Sequence, residues 1–395
     1  MPSSRTRFAI FLVFSILALL IFLPKEKISQ SYHSFYGSAR PHISQSKPNA
    51  AILMLIAPSR IHQATLALLN VENRFNRRLQ YPYVLFTANE EEYAMITEEE
   101  RQKIDWITQG RATLGTFLRS TPIVESFTGM VAVVTKDSWE IPDFYDKSRV
   151  EDSFRNIGFS SGYRSMCRFY SGFFWKQPAL LEYEWLWRLD TDIEFHCDIP
   201  YDPVERMIEA GALYGFIQIN EDAEWVQPSL ASNVSEFLSS YYSSHSSASN
   251  AVPGVALPPV PADVNHAFVW HGMNGVEKAL KGEGGNGEWT RMCMYNNFEI
   301  SHRSLWESQI YTSFFEHLDN AGGFFYERWS DSPIHSFGVA MALRKDQVMQ
   351  FHDMGYQHQG WAFECATIDR CTCLKEGAAA DFDDQGYRWF NTSAS

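Results

Sequence analysis

The sequence predicts an α/β fold built on a mixed, mainly parallel central sheet. Three observations predict it. Residues 50–57 (AAILMLIA) are a short unbroken apolar run closed by Pro58-Ser59, the pattern of a strand buried on both faces. Residues 61–76 follow with helical spacing of Leu66, Leu69, Val71 and Phe75, and residues 81–87 (YPYVLFT) form the next apolar strand. Strand, helix and strand at this spacing make a βαβ unit, whose two strands run parallel. Residues 183–203 (YEWLWRLDTDIEFHCDIPYDP) add an aromatic strand that runs into Asp190-Thr191-Asp192.

Further strands are expected at 123–124 with 131–134, at 185–189 and at 213–219. In an open α/β sheet, ligands bind outside the carboxyl ends of the strands. Asp190 and Asp192 fall at such an end. Two residues apart on a strand, they point to one side. Paired carboxylates there can hold a hard divalent cation and leave room for substrate phosphates. A solvated strand-to-turn boundary is the plainer reading of the same three residues.

The 395 residues could form one large domain or two ordinary ones, and 12 Trp with 29 Phe supply a sizeable core. A formal charge of −14 argues against nucleic acid as a partner, because phosphate neutralisation needs a basic face.

Arg5 and Arg7 precede an uncharged run at 8–23, which Pro24, Lys25 and Lys27 close. As a helix this run spans about 24 Å at 1.5 Å per residue, which suits a thin membrane of the early secretory pathway. The reading is a cytosolic tail at 1–7, a signal-anchor helix at 8–23, a polar stem at 25–48 and a lumenal catalytic region at 49–395. A cleaved signal peptide is the alternative, but Pro24-Lys25-Glu26 is a poor cleavage site. The Ser-rich, then Pro/Val-rich segment 239–264 is expected to be an exposed insertion, and 281–288 (KGEGGNGE) another loop.

The six cysteines (Cys167, Cys197, Cys293, Cys365, Cys371 and Cys373) suit an oxidising compartment. They allow up to three disulfides, in fifteen pairings. Cys371-Thr372-Cys373 is too tight for an ordinary structural zinc pair. Two sequons, at Asn233 and Asn391, are compatible with the same compartment.

The second half sets carboxylates and imidazoles beside aromatic rings, a mixture suited to binding sugars. The clusters are 295–300 (YNNFEI), 322–335 (GGFFYERWSDSPIH) and 353–360 (DMGYQHQG). They nominate Glu299, Glu327, Arg328, Trp329, Asp331, His335 and His358 as pocket residues. Tyr-Glu-Arg at 326–328 also reads as a buried ion pair that holds a loop.

Taken in order, YRSMCRFYSGFF (163–174), WRLDTDIEFHCDIPYDP (187–203), YNNFEI, GGFFYERWSDSPIHS (322–336) and DMGYQH resemble the fungal α-1,2-mannosyltransferases of glycosyltransferase family 15. VENRFNRRLQYPYVLF (71–86) matches as well, so the resemblance runs from about residue 49 to 387. It implies a GT-A type nucleotide-sugar transferase domain in a single-pass type II Golgi membrane protein. The implied reaction moves mannose from GDP-mannose to a mannosyl acceptor on glycoprotein N- or O-glycans, with retention and with Mn²⁺. By the same resemblance, Glu299 stands at the family's proposed nucleophile and Tyr163 near donor and acceptor. Asp190, Asp192 and Arg168 are the donor-phosphate candidates, and Asp192 with His358 the metal ligands.

This chain departs from the family at several places. Asp190-Thr191-Asp192 replaces Glu-Pro-Asp, Ile56-Ala57-Pro58 replaces Val-Arg-Asn, Phe86-Thr87-Ala88 replaces Leu-Asn-Asp, and Tyr170 replaces asparagine. Two other classes compete with this reading. One is a catalytically inactive GT-A-fold partner of Golgi transferases, suggested by the departures. The other is a secreted glycoside hydrolase with paired carboxylates.

Overall fold

The computed structural model describes residues 47–114, 132–245, 291–359, 362–364 and 370–372. The anchor at 8–23, nearly all of the stem, the strand expected at 123–124, the 281–288 loop, Asn391, Cys365 and Cys373 lie outside these residues. Among the described residues no helix is long and apolar enough to cross a membrane.

The elements that place the site are, in order, β1 (Ala50–Leu55), α1 (Ile61–Val71), β2 (Tyr83–Thr87), α2 (Glu98–Thr108), β3 (Ala112–Leu114), β4 (Ala132–Val133), α3 (Ser161–Gly172), β5 (Trp185–Leu189), β6 (Ile193–Phe195), α4 (Pro203–Ala210), β7 (Tyr214–Phe216), β8 (Ile219–Glu221), α5 (Leu230–His245), β9 (Met292–Met294), β10 (Phe298–His302), α6 (Gln309–Ala321), α7 (Asp331–Ala342), β11 (Val348–Gln350), β12 (Tyr356–His358) and β13 (Ala362–Glu364). The main sheet has the order β11-β7-β10-β5-β1-β2-β3, with β4 also on β2. β10 runs antiparallel to both neighbours, and the other pairs are parallel. The expected mixed, mainly parallel α/β sheet is therefore present.

Alternation along the strands divides the core in two. Ile52, Met54, Tyr83, Leu85, Trp187 and Phe298 face α1, α2 and α4. Leu53, Phe86, Leu186, Tyr214 and Phe216 face α3, α5, α6 and α7. Arg188 and Asp190, even-numbered like Leu186, belong to that second face, and so does Glu299, which pairs with Arg188 across the strands.

Helix ends are marked locally. Thr97 and Glu100 form a capping box on α2. Asp202 caps α4, Pro203 takes its first position, and Gly211 closes it at φ 69°. Ser160 caps α3 and Ser308 caps α6. Helix α1 continues through a wider turn, Glu72–Asn76, so the helix expected at 61–76 has the right extent. The strand expected at 213–219 is broken into β7 and β8. The first residues of the expected 239–264 insertion are not irregular: α5 carries through to His245. The remainder, from 246, lies outside the described residues.

A second sheet, β13-β12-β6, is antiparallel and folds the chain's late residues back onto the strand after Asp192. Cys197 and Cys371 lock this return by a disulfide across 174 residues. Cys167 and Cys293 are buried free thiols, so the expected stapling role does not extend to them. Cys371→Ser should lower unfolding free energy by about 2–5 kcal/mol. The check is thermal unfolding with and without reductant. Reductant should destabilise the wild type more than the variant.

Candidate active site

Asp190 and Asp192 lie in the turn between β5 and β6, not on the strand itself as the period-two reading supposed. They still converge, because the ladder holds both ends of the turn. The Asp190 amide donates to the Asn297 carbonyl at 3.0 Å, and β6 pairs with β12 so that Ile193 sits opposite His358. One ligand atom from each of Asp190, Asp192 and His358 lies within 4.8 Å of the others. His358 Nε2 is 3.1 Å from Asp192 Oδ1 and 3.9 Å from Asp190 Oδ2. Nε2 is buried and lacks hydrogen-bond geometry to either oxygen. A buried ring nitrogen left without a partner, facing two carboxylates, is a donor set that fits a divalent cation of the Mn²⁺ kind.

The other oxygens are committed. Asp192 Oδ2 accepts from Arg60 at 3.0 Å and from Gln359 at 3.1 Å. Asp190 Oδ1 accepts from Arg188 Nε and Nη2, each at 3.2 Å. Burial pushes the Asp190 carboxyl up, and the Arg188 and His358 charges only partly oppose it. Burial also raises Asp192, but His358, Gln359 and Arg60 outweigh it and bring the group down to about 2. Beside Asp192, Gln63, Leu66, Asn70, Asn73, Glu194, Gln357 and Gln359 line an open cleft of about 460 Å³ between α1 and β6.

Arg188 connects this corner to a deeper one. Its buried guanidinium also donates to Asp331 at the start of α7 and lies over the Tyr170 ring, 3.5 Å from the centroid. Asp331 accepts a second bond from Asn296 at 3.0 Å. Glu299 is fully buried beside them. Its Oε2 is 2.8 Å from the Tyr214 hydroxyl and 2.6 Å from His335 Nδ1, while its Oε1 has no partner. Asp190, Asp192 and His358 therefore meet in one place, and Glu299, Asp331 and His335 meet just behind them, with Arg188 as the link.

Tyr163 belongs to a neighbouring cluster. Arg328 Nη1 donates to its hydroxyl at 3.5 Å and Arg328 Nη2 to Asp222 at 3.0 Å, so the ion pair expected within Tyr-Glu-Arg 326–328 is not formed there: Arg328 pairs with Asp222 and not with Glu327. The two clusters meet at Asp331, whose charge reaches both Tyr163 and His335.

Three nominated residues serve elsewhere. Arg168 does not join Asp190 and Asp192. Its Nε and Nη2 are spent on the two oxygens of Asp319 on α6, at 2.7 and 2.9 Å, and Nη1 on the carbonyl of Asp137. One turn of helix separates the buried Arg164 from Arg168, and both point into the helical layer. Glu327 accepts the Trp329 indole N–H at 2.7 Å and the Ser229 amide at 3.2 Å, so this pair braces the loop before α7. Gly323 is required there, since a Cβ would lie 2.0 Å from the Trp329 ring.

Sequence reasoning missed Arg60, Arg188, Tyr214, Asn296 and Gln359. For Arg188 the signal was present: it precedes Asp190 by two and shares its face. The rest depend on tertiary pairing.

The lowered groups predict acid lability. Asp192 and Asp331 sit below their ordinary values, so each stabilises the fold above the usual aspartate range and loses that contribution as pH falls through its lowered value, about 2 for Asp192. Thermal denaturation between pH 2 and 6 should show Tm falling with acid, and less steeply in Asp331→Asn.

The family model described as glycolipid 2-alpha-mannosyltransferase matches residues 22–392. The chain is 30% identical over 370 residues to O-glycoside alpha-1,2-mannosyltransferase homolog 3 of Schizosaccharomyces pombe, covering 90% of this chain and 85% of that one. It is 30% identical over 360 residues to glycolipid 2-alpha-mannosyltransferase 2 of Candida albicans, covering 87% and 66%. Among solved structures, the Mn/GDP form of core-mannan synthase A from Aspergillus fumigatus superposes with a TM-score of 0.67 at 24% identity, covering 87% of this chain and 82% of that one. A mannosyltransferase of S. cerevisiae in complex with GDP superposes with a TM-score of 0.64 at 21% identity, covering 92% and 90%. These two likenesses establish the fold.

Proposed function

The chain belongs to the glycolipid 2-alpha-mannosyltransferase family, and on that premise we propose that it transfers mannose from GDP-mannose to a mannosyl acceptor on glycoprotein glycans, forming α-1,2 linkages with retention and with Mn²⁺. The observation that carries this reading is the convergence of Asp190, Asp192 and the unpartnered His358 Nε2 at the strand-end corner, with Glu299 behind it.

The reaction separates charge: the departing GDP gains negative charge and the sugar gains positive charge. Asp190, Asp192 and His358 would hold Mn²⁺, which supplies fixed positive charge against the diphosphate. Arg60, half-exposed and 3.0 Å from Asp192, adds a second cation at the same corner. Arg188 fixes the Asp190 carboxylate by two bonds, so little reorganisation is needed on binding. Glu299 answers the sugar's positive charge, as a carboxylate does in retaining glycosidases. Its free Oε1 is the atom for that task. Glu299 is fully buried, and Oε1 with it, so bulk water is kept from that atom.

Detergent-solubilised full-length protein, labelled GDP-mannose and α-methyl mannoside or mannobiose make the test. Transfer that needs both GDP-mannose and Mn²⁺ is the expected result. GDP-mannose binding without transfer would support the inactive-partner reading instead. Hydrolysis of mannobiose without nucleotide would make the chain a glycosidase.

For location, the reading is a type II Golgi protein anchored by 8–23 with its catalytic region in the lumen. The Cys197–Cys371 disulfide supports an oxidising compartment. Alkaline carbonate extraction of membranes should leave the chain in the pellet, and deleting 8–23 should release it.

A further inference from the structure

Glu299 shares its buried site with His335, and the hydrogen bonds around that histidine restrict where protons can be. His335 Nε2 lies 2.9 Å from the carbonyl oxygen of Tyr170. A carbonyl oxygen only accepts, so Nε2 carries the hydrogen. On the other side, Nδ1 lies 2.6 Å from Glu299 Oε2. Two lone pairs cannot face each other at that distance, so this contact holds one proton. It belongs either to an imidazolium donating to a carboxylate or to a carboxylic acid donating to neutral imidazole.

Asn296 distinguishes the two. Its Oδ1 accepts from the Ser332 hydroxyl and its Nδ2 donates to Asp331 Oδ2 at 3.0 Å, which orients the amide. The same Nδ2 is 3.2 Å from His335 Nδ1. An amide N–H group at 3.2 Å is repelled by a hydrogen on Nδ1, which favours a bare Nδ1 whose single lone pair takes the shorter 2.6 Å contact from an O–H of Glu299. Tyr214 donates to Oε2 at 2.8 Å in either arrangement. Oε1 is buried without a partner.

We propose that His335 is the positioning residue of this site, keeping Glu299 as a masked carboxylate that ionises only as the sugar becomes positive. In the step, the O–H bond of Glu299 breaks and its electron pair stays on Oε2. The proton bonds to the lone pair of His335 Nδ1. The result is a carboxylate beside the sugar and an imidazolium behind it, and the proton returns when the new glycosidic bond is made. No oxidant, reductant or co-reactant is consumed.

The groups that face the pair suit this transfer. Arg188 on β5, directly across the ladder, favours the carboxylate, and Asp331, one turn before His335 on α7, favours the imidazolium. Tyr214 on β7, Tyr311 on α6 and Tyr170 on α3 are neutral neighbours whose hydroxyls burial drives upward. Asp190 lies beyond Arg188. The resting acid–imidazole pair avoids separated charge in the apolar layer of Trp306, Phe174 and Tyr311.

The inference rests on the transferase reading and on the role given to Glu299. His335→Asn keeps an amide that can hold Glu299 in place but cannot take its proton. The expected result is a fall in kcat of about 100-fold, with KM for GDP-mannose within about threefold and Tm close to wild type. The residual rate should rise with pH, because Glu299 must then lose its proton to solvent. A purely structural role would not add that slope. An His335→Asn enzyme with near-wild-type kcat, in a background where Glu299→Gln is inactive, overturns the proposal and leaves the transferase reading intact. Absence of transfer by the wild type would overturn that reading itself. If His335→Asn does not fold, infrared spectra of the wild type and Glu299→Gln at pH 7 decide. A carboxylic-acid C=O band present only in the wild type supports the masked carboxylate, and its absence overturns it.

Discussion

Glu299→Gln should lose transfer by about 10³-fold or more while folding normally and binding GDP. The magnitude follows from what the side chain provides. A preorganised charge in a water-excluded site is worth about 10²–10³ in rate for a single hydrogen-bond donor. A full negative charge facing a sugar cation is worth at least that. Folding should survive because glutamine keeps the shape and can still meet Tyr214 and His335, so no cavity opens and Oε2 is replaced by a polar atom. Single-turnover transfer from GDP-mannose, beside GDP titration by calorimetry, separates the two effects. Turnover within a few-fold of wild type would remove Glu299 from the chemistry and leave the Asp190 corner as the sole supported part of the mechanism.

Asp192→Asn should raise the Mn²⁺ concentration needed for half-maximal transfer by about 10–100-fold, a scale that even outer-shell losses reach at metal sites. The substitution removes the charge of Oδ1, 3.1 Å from His358 Nε2, and weakens the grip on Arg60 and Gln359 through Oδ2. At saturating Mn²⁺ much of kcat should return, since Asp190 and His358 remain. A titration curve unchanged from wild type would take Asp192 out of the metal site. His358→Ala serves as the companion, and should shift the titration in the same direction.

Parts of this molecule were plain in its sequence and parts were not, for identifiable reasons. β1 and β2 were legible because strands buried on both faces are almost wholly apolar, and β5 because its aromatic and leucine residues mark it despite the buried Arg188; Trp185–Leu189 has the predicted bounds. The Asp190/Asp192/His358 corner was legible through motif resemblance, although the pair sits in a turn and not on a strand. Arg168 was misplaced because a motif names a residue, whereas its use depends on the helix face it occupies. Asp319, its partner, lies 151 residues away in sequence. His335 and Asp331 were nominated as pocket residues, but their bonds to Glu299 and Arg188 arise from packing α7 on β10 and β5, which no local pattern encodes. Cysteine pairing was equally hidden: the Cys197–Cys371 bond occurs in only three of the fifteen complete pairings of six cysteines.

The strand order carries a consequence for synthesis. The half-sheet β1-β2-β5 is complete once residue 189 has left the ribosome, and Asp190 and Asp192 follow at once. Glu299 must wait for β10 to slide in between β5 and β7. His358 comes later still, with β12, and Cys371 closes last. Every chain therefore passes through a stage in which two acidic side chains and an unfilled sheet edge are exposed with no imidazole to complete them. Fragments ending before residue 356 are incapable of assembling the corner, whatever else they fold. The metal corner is therefore completed only by the late return of β12, and a chain that stops before His358 lacks one of its three ligands.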